Sequence, residues 1–294
     1  VTHPITLAVT QMACSWDQQA NLKNAERLVR QAAGQGAQVV LLQELFRTPY
    51  FPIEQCHKHR ALAERFEQSD TVSRFAALAA ELRVVLPISF FEKAGEVYFN
   101  TVAMADADGT VLGRYRKSHI PNDPGYQEKQ FFSPGNSGLR VWDTAYGRIG
   151  VGICWDQWFP EVARCMALAG ADMILYPTAI GSGLDGEDGT DSLDAWRNAM
   201  CGHAACNILP VAAANRIGRE YTTEGRETFL DFYGNSFIAD HKGVVAGQAG
   251  SDTEEVVLHT VDLTQVRNYR DSWAVFRDRR PDLYGAITTL DGAT

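Results

Sequence analysis

No run in this chain approaches the roughly 18 uninterrupted apolar residues that a membrane-spanning helix needs. The opening Val1-Thr2-His3-Pro4 has neither a basic stretch nor an apolar core of the kind that directs secretion. Membrane insertion and export are therefore not expected. The six cysteines, Cys14, Cys56, Cys154, Cys165, Cys201 and Cys206, form no C-x-x-C pair and no spacing of the zinc-finger type. Reduced thiols in a cytoplasmic protein are the natural reading, and no metal or other cofactor is called for. Basic charge is also short: 27 Lys+Arg stand against 36 Asp+Glu, a net charge of −9. That balance disfavours nucleic acid as a partner and tolerates a small cationic one. Ser/Gly-rich or Pro-rich linkers, charge blocks and internal repeats are missing too, so the 294 residues are expected to form one domain.

What is present belongs to an ordinary globular chain, 45% hydrophobic and 21% charged. A chain of this length buries roughly 75% of its unfolded surface and needs no disulfide or structural metal. Apolar runs rich in β-branched residues predict strands at 5–9, 39–42, 84–91, 101–105, 149–154, 173–176, 208–213, 236–239 and 256–261. Segments with a 3.6-residue period predict helices at 20–33, 57–82, 159–169 and 192–206. Between 92 and 148, strand-like runs follow one another with turn signals such as Asp108-Gly109, which predicts antiparallel pairing within a mixed sheet. The class is α/β or α+β.

Three strand ends carry chemistry. In GRIGVGICWDQWFPE (147–161) an apolar strand runs into a turn and then a helix, so Cys154 sits at a bend where backbone N–H groups are free. A helix start favours a thiolate, and the Trp155 amide is placed to donate to a developing oxyanion. A buried structural thiol is the alternative, and this segment alone leaves both open. Glu44 follows the apolar run 39–42, at a sheet edge facing a cleft or partly buried, where a carboxylate suits general-base work; a solvated strand exit is the other possibility. Lys117 closes GRYRK (113–117), where a fixed cation could hold an oxyanion or simply be solvated. His119 is a further candidate base for Cys154, or a hydrogen-bonded structural histidine. A carboxylate, a lysine and a cysteine thus each terminate a strand of what reads as one sheet.

With these residues and the motifs around them, the chain resembles the nitrilase (carbon-nitrogen hydrolase) superfamily. Its Glu-Lys-Cys triad falls on Glu44 in LLQELF, Lys117 in YRKSHIP and Cys154 in GICWDQWFPE, and a second, supporting glutamate falls on Glu128 in GYQEKQFFSPG. CWDQWFPE, YPTAIGS (176–182), ANRIG (214–218) and SWAVFRDRRPDLY (272–284) are similar to the branch that acts on N-carbamoylputrescine. Two features depart from that branch: Asn122-Asp123 stands where an Asp-Gly pair is usual, and the variable loop 183–189 is rich in Gly and Asp. Both bear on substrate selectivity.

The resemblance implies a four-layer α-β-β-α sandwich with mixed sheets, forming a single carbon-nitrogen hydrolase domain over residues 1–294. It also implies a homodimer or larger homo-oligomer. The aromatics and arginines of 272–284 suit the C-terminal extension 265–294 to docking at a subunit interface, and an ordered tail packed on its own subunit is the alternative. The reaction it implies is hydrolysis of N-carbamoylputrescine to putrescine, carbon dioxide and ammonia through a Cys154 thioester, without a metal. Such a substrate asks for aromatic walls and an acid for its ammonium. Tyr50, Phe51, Trp155 and Tyr176 are the candidate walls, and Asp185 and Glu187 the candidate acids. The alternatives are a related amidase for a β-ureido acid or an ω-amide, which requires a cation in place of those acids, and a non-catalytic binding protein on the same fold. Gly181-Ser182-Gly183-Leu184-Asp185-Gly186 satisfies G-x-G-x-x-G, but no helix opens on it and the acids that follow repel pyrophosphate, so a dinucleotide site is not expected.

Overall fold

The computed structural model describes residues 2–184, 192–223 and 228–293. In chain order its main elements are β1 (Pro4–Gln11), α1 (Gln18–Gly34), β2 (Val39–Leu41), α2 (Asp70–Leu82), β3 (Leu86–Ala94), β4 (Val97–Ala105), β5 (Val111–Arg116), β6 (Val141–Thr144), β7 (Gly147–Val151), α3 (Pro160–Leu168), β8 (Met173–Pro177), α4 (Ser192–Asn207), β9 (Val211–Ala214), β10 (Ile217–Tyr221), β11 (Phe229–Tyr233), β12 (Phe237–Ala239), β13 (Val245–Gln248), β14 (Glu255–Asp262) and α5 (Leu263–Trp273).

Two mixed sheets result. One has the order β14-β1-β2 and continues through the parallel contact of Val39 with Val85 into β3-β4-β5. The other runs β13-β12-β9-β8-β7-β6, with β7, β8 and β9 parallel. Side chains alternate across each strand, so a strand buried on both faces feeds two cores. Ile5, Leu7, Val9, Val39 and Leu41 meet Ile149, Val151, Met173, Leu175, Ala212 and Ala214 between the sheets. The intervening residues turn outward: Ala8, Val40 and Leu42 pack with α1 and α2, while Ile174, Tyr176, Val211 and Ala213 pack with α3 and α4. The layers are therefore α-β-β-α, as the family resemblance implies. No helix among the described residues is long and apolar enough to cross a membrane.

The helix predicted over 57–82 divides. His57–Leu62 and Phe66–Gln68 are short 3-10 turns, and α2 begins only after Ser69, whose hydroxyl accepts from the Val72 amide at 3.0 Å. Glu64 explains the break: it is drawn into a parallel bridge with Glu92 of β3, and its carboxylate accepts from the Thr71 amide and hydroxyl. Helix α5 was not among the predicted elements, although Asp262 caps it by accepting from the Thr264 amide at 2.9 Å. The β10–β11 hairpin was also not predicted.

Candidate active site

The three strand ends singled out in the sequence come together, though from two sheets and not one. Glu44 follows β2 and Lys117 follows β5 in the first sheet, whereas Cys154 follows β7 in the second. They meet at one end of the gap between the sheets, where the parallel strands β2, β7, β8 and β9 release their C-terminal loops. Ligand sites in open α/β sheets favour that end.

Lys117 is the centre of the group. Its Nζ donates to Glu44 Oε1 at 3.0 Å and to Glu128 Oε1 and Oε2 at 2.8 and 2.7 Å, and none of the three residues is exposed. Its main chain is fixed as well, since the Lys117 amide donates to Asn100 O and Lys117 O accepts from the Gly135 amide. A Cβ on Gly135 would lie 2.0 Å from Arg116 O, so only glycine lets the two backbones approach. Asn100 Nδ2 donates to Glu44 Oε1 at 2.6 Å, and Tyr50 Oη donates to Glu128 Oε1 at 2.5 Å. One carboxylate oxygen, Glu44 Oε2, is buried without a partner.

Two carboxylates around one ammonium carry a buried net charge of −1 when both are ionised, and this raises the cost of ionising Glu128. Burial pushes the Glu128 carboxyl up to about 7, opposed by Lys117 and reinforced by Glu44. Burial alone would lower the Lys117 ammonium, but the two carboxylates reverse that and raise it.

Cys154 occupies the left-handed region with φ +43°, a conformation costing a non-glycine residue about 1–3 kcal/mol that is kept where the surroundings enforce it. Asp156 does so. Its Oδ2 accepts from the Ile153 amide at 2.9 Å and from Tyr115 Oη at 2.7 Å, and its Oδ1 accepts from the His119 amide at 3.0 Å. His119 faces Asp156, and the hydrogen bond recorded for the Cys154 thiol goes to Ala179 O and not to this imidazole. Its Nδ1 lies 2.7 Å from Asp156 Oδ1 and its ring stacks on Phe159 at 3.7 Å. The thiol donates to Ala179 O at 3.6 Å. Burial, then Glu44, raise it well above the ordinary thiol value despite Lys117. The stabilisation of a thiolate expected from the helix start is outweighed, so the resting sulfur is protonated and needs a base.

Cys154 opens into a cavity of about 370 Å³ that Trp155, Trp158, Tyr126, Asp123, Ile180 and Ser192 help to line. Asp123 is the only charged side chain among the described lining residues. The candidate walls divide. Trp155 lines the cavity. Tyr176 does not: alternation along β8 sends it to the helical face, where it packs beside His203 and meets the Gly152 backbone. Tyr50 is buried, with its hydroxyl on Glu128, and Phe51 lies in an aromatic cluster with Phe91, Phe131 and Phe132. Asp185 and Glu187 lie outside the described residues.

A carbon-nitrogen hydrolase family model matches residues 6–271. N-carbamoylputrescine amidases from Solanum lycopersicum and Arabidopsis thaliana are 50% and 48% identical to the chain, each over 98% of it and 96% of their own length. A citrullinase from Francisella tularensis is 46% identical over 96% of this chain and 98% of its own. The crystal structure of a carbon-nitrogen hydrolase from Helicobacter pylori superposes with a TM-score of 0.92 at 36% identity, covering 98% of this chain and 99% of that one. This chain belongs to the carbon-nitrogen hydrolase family.

For a carbon-nitrogen hydrolase read from sequence, the roles of several site residues were not announced, even where they stand inside quoted motifs, as Asp156 does in CWDQWFPE and Asn215 in ANRIG. Asn100 and Asp156 act through hydrogen bonds formed only after folding. Asn215 is a similar case: its Oδ1 accepts from the Ile180 amide at 3.0 Å and its Nδ2 donates to Ile180 O at 2.8 Å, which fixes the loop after β8. Asp123 was noticed only as a departure from the branch pattern. Away from this site, Glu54, Cys56 and His59 bring metal-ligating atoms within 4.8 Å of one another. Glu54 Oε1 already faces His59 Nε2, the Thr223 amide and the Thr223 hydroxyl, so the group reads as a hydrogen-bonded clasp.

Between pH 4.5, the ordinary carboxyl value, and about 7, folded Glu128 holds a proton that the unfolded chain has released. By linkage, this contribution to stability is complete below 4.5 and is lost as pH rises through 7. Urea unfolding across that window is expected to show the decline, and Glu128→Gln is expected to flatten it. An unchanged slope in the variant would place the proton on another group.

Proposed function

We propose that this carbon-nitrogen hydrolase cleaves N-carbamoylputrescine to putrescine, carbon dioxide and ammonia. The observation that carries the reading is the lining of the cavity on Cys154, where aromatic side chains surround a space whose only charged group among the described residues is the Asp123 carboxylate. An ammonium is attracted to a carboxylate and to aromatic faces. A β-ureido acid or an ω-amide bearing a carboxylate would meet Asp123 with like charge and find no described cation to receive it. The names of the plant relatives support the same substrate.

In this mechanism Glu44, through its unpartnered Oε2, takes the thiol proton, and Cys154 Sγ attacks the ureido carbonyl carbon. The charge of Lys117 and the Trp155 amide stabilise the oxyanion. The Trp155 amide belongs to the first turn of the 3-10 segment Cys154–Trp158, where N–H groups lack partners within the helix. The C–N bond to the terminal amino group breaks, and Glu44 returns the proton as ammonia leaves. Water activated by Glu44 then cleaves the thioester. The carbamate product decomposes to carbon dioxide and putrescine. Glu128, Tyr50 and Asn100 hold Lys117 and Glu44 in register. A cytoplasmic setting fits the six free thiols.

The C-terminal extension 265–294 is proposed to meet a second copy of the chain. Trp273, Leu283 and Ile287 are exposed, and Phe276 sits between the Arg164 and Arg270 guanidinium groups at 4.9 and 5.6 Å. Trp273→Ala with Ile287→Asp is expected to lower the mass measured by sedimentation equilibrium; an unchanged mass would remove this segment from the interface.

Ammonia release from matched carbamoylated amines and acids tests the substrate, with activity expected on the amine. Asp123→Asn is expected to raise KM for N-carbamoylputrescine about tenfold and to leave KM for an uncharged amide nearly unchanged, in line with about 1–2 kcal/mol for one partly solvated charge pair. Asp185→Asn and Glu187→Gln test the acids proposed from sequence in the same way. Preference for the acid, or equal effects on both substrates, would overturn the assignment.

A further inference from the structure

We infer that Arg216 and Glu220 form a positioning device for the reaction, a buried ion pair that sets where Glu44 and Tyr50 stand. The inference rests on the reading of Glu44 as the base for Cys154. Arg216 is fully buried, and its guanidinium reaches three main-chain carbonyls: Nη2 donates to Glu44 O at 2.6 Å and Leu45 O at 3.3 Å, and Nη1 donates to Thr48 O at 3.3 Å. Nη1 also donates to Glu220 Oε1 at 2.7 Å. The other carboxylate oxygen, Glu220 Oε2, accepts from the Tyr50 amide. One ion pair therefore holds four backbone groups between residues 44 and 50.

That stretch carries both arms of the Lys117 cluster. Glu44 places one carboxylate on the ammonium, and Tyr50, through its hydroxyl, fixes the other on Glu128. The stretch also contains Leu45 in the left-handed region at φ +49°, its amide held by Ser89 Oγ at 2.9 Å. The segment thus needs external restraint to keep its shape. A buried ion pair is an inefficient way to stabilise a core, because the desolvation of two charges offsets their attraction. Arg216 Nε is even left without a partner. What the pair supplies is geometry. A planar guanidinium can serve several carbonyls at once, which a lysine ammonium cannot do with the same fixed directions.

A device of this kind acts on turnover more than on binding, since neither residue is among those lining the cavity on Cys154. Displacing a catalytic group by about 1 Å can cost on the order of 100-fold in rate. Loosening the 44–50 segment also moves the Glu44 charge relative to the thiol, whose other charged neighbours are Lys117 and Glu128.

The test uses the full chain with Arg216→Lys, Arg216→Met and Glu220→Gln. Two readouts are taken: steady-state ammonia release, and the pH dependence of Cys154 alkylation by iodoacetamide followed by peptide mass spectrometry. Alkylation needs no natural substrate, so it remains informative if the proposed substrate is wrong. Glu220→Gln is expected to lower kcat about 10- to 100-fold with KM within about threefold, and to move the alkylation midpoint toward the ordinary thiol value. Arg216→Met is expected to do more, and Arg216→Lys to recover part of the loss. If Arg216 variants fail to fold, Glu220→Gln decides alone. Folded variants whose kcat and alkylation profile match the parent, or whose loss lies only in KM, would overturn the inference.

Discussion

A single ammonium in the interior governs this structure. Lys117 lies between two carboxylates, and all three side chains are cut off from solvent. An unpaired charge there would be prohibitive, so each group can be present only because the others are. The two carboxylates exceed the one cation, so the Glu128 carboxyl is pushed up, and Tyr50 and Asn100 donate to the pair. The electrostatic balance also leaves Glu44 with one oxygen uncommitted. In the proposed mechanism that oxygen accepts the proton of the Cys154 thiol, whose pKa burial raises. Stability and chemistry therefore depend on the same three groups.

The fold supplies the convergence. Neither sheet alone could build the site, because the acid and the lysine come from one and the sulfur from the other. The inter-sheet core, with Leu7, Val9 and Leu41 against Val151, Leu175 and Ala214, sets the spacing between them. The loops leaving that core are then tied by side chains: Asp156 under Cys154, Asn215 under the loop after β8, and Arg216 under the loop after β2. A site assembled from loops thereby gains the rigidity of a site built on strands.

Much of this was legible in the sequence. Strands buried on both faces read as continuous apolar runs, and residues closing such runs stand at sheet ends, which is why Glu44, Lys117 and Cys154 could be picked out. Their distribution over two sheets was not legible, because strand pairing is a long-range property. Tyr176 was misplaced for a related reason: whether a residue faces the site or the helices depends on the parity of its strand, and a fully apolar run hides parity. The helix over 57–82 failed because a tertiary bridge from Glu64 competes with local propensity. Asp262 ahead of α5 was a readable cap that the strand pattern before it obscured. Asn100, Asp156 and Arg216 act through contacts between distant segments, which composition and periodicity do not encode.

Peptide mass spectrometry of the acid-quenched chain during turnover of N-carbamoylputrescine, alongside folded Cys154→Ala, tests the central claim most directly. The account predicts an acyl adduct on the peptide carrying Cys154 and no ammonia release from the variant. An adduct on any of the other five cysteines, or turnover by folded Cys154→Ala, would contradict it.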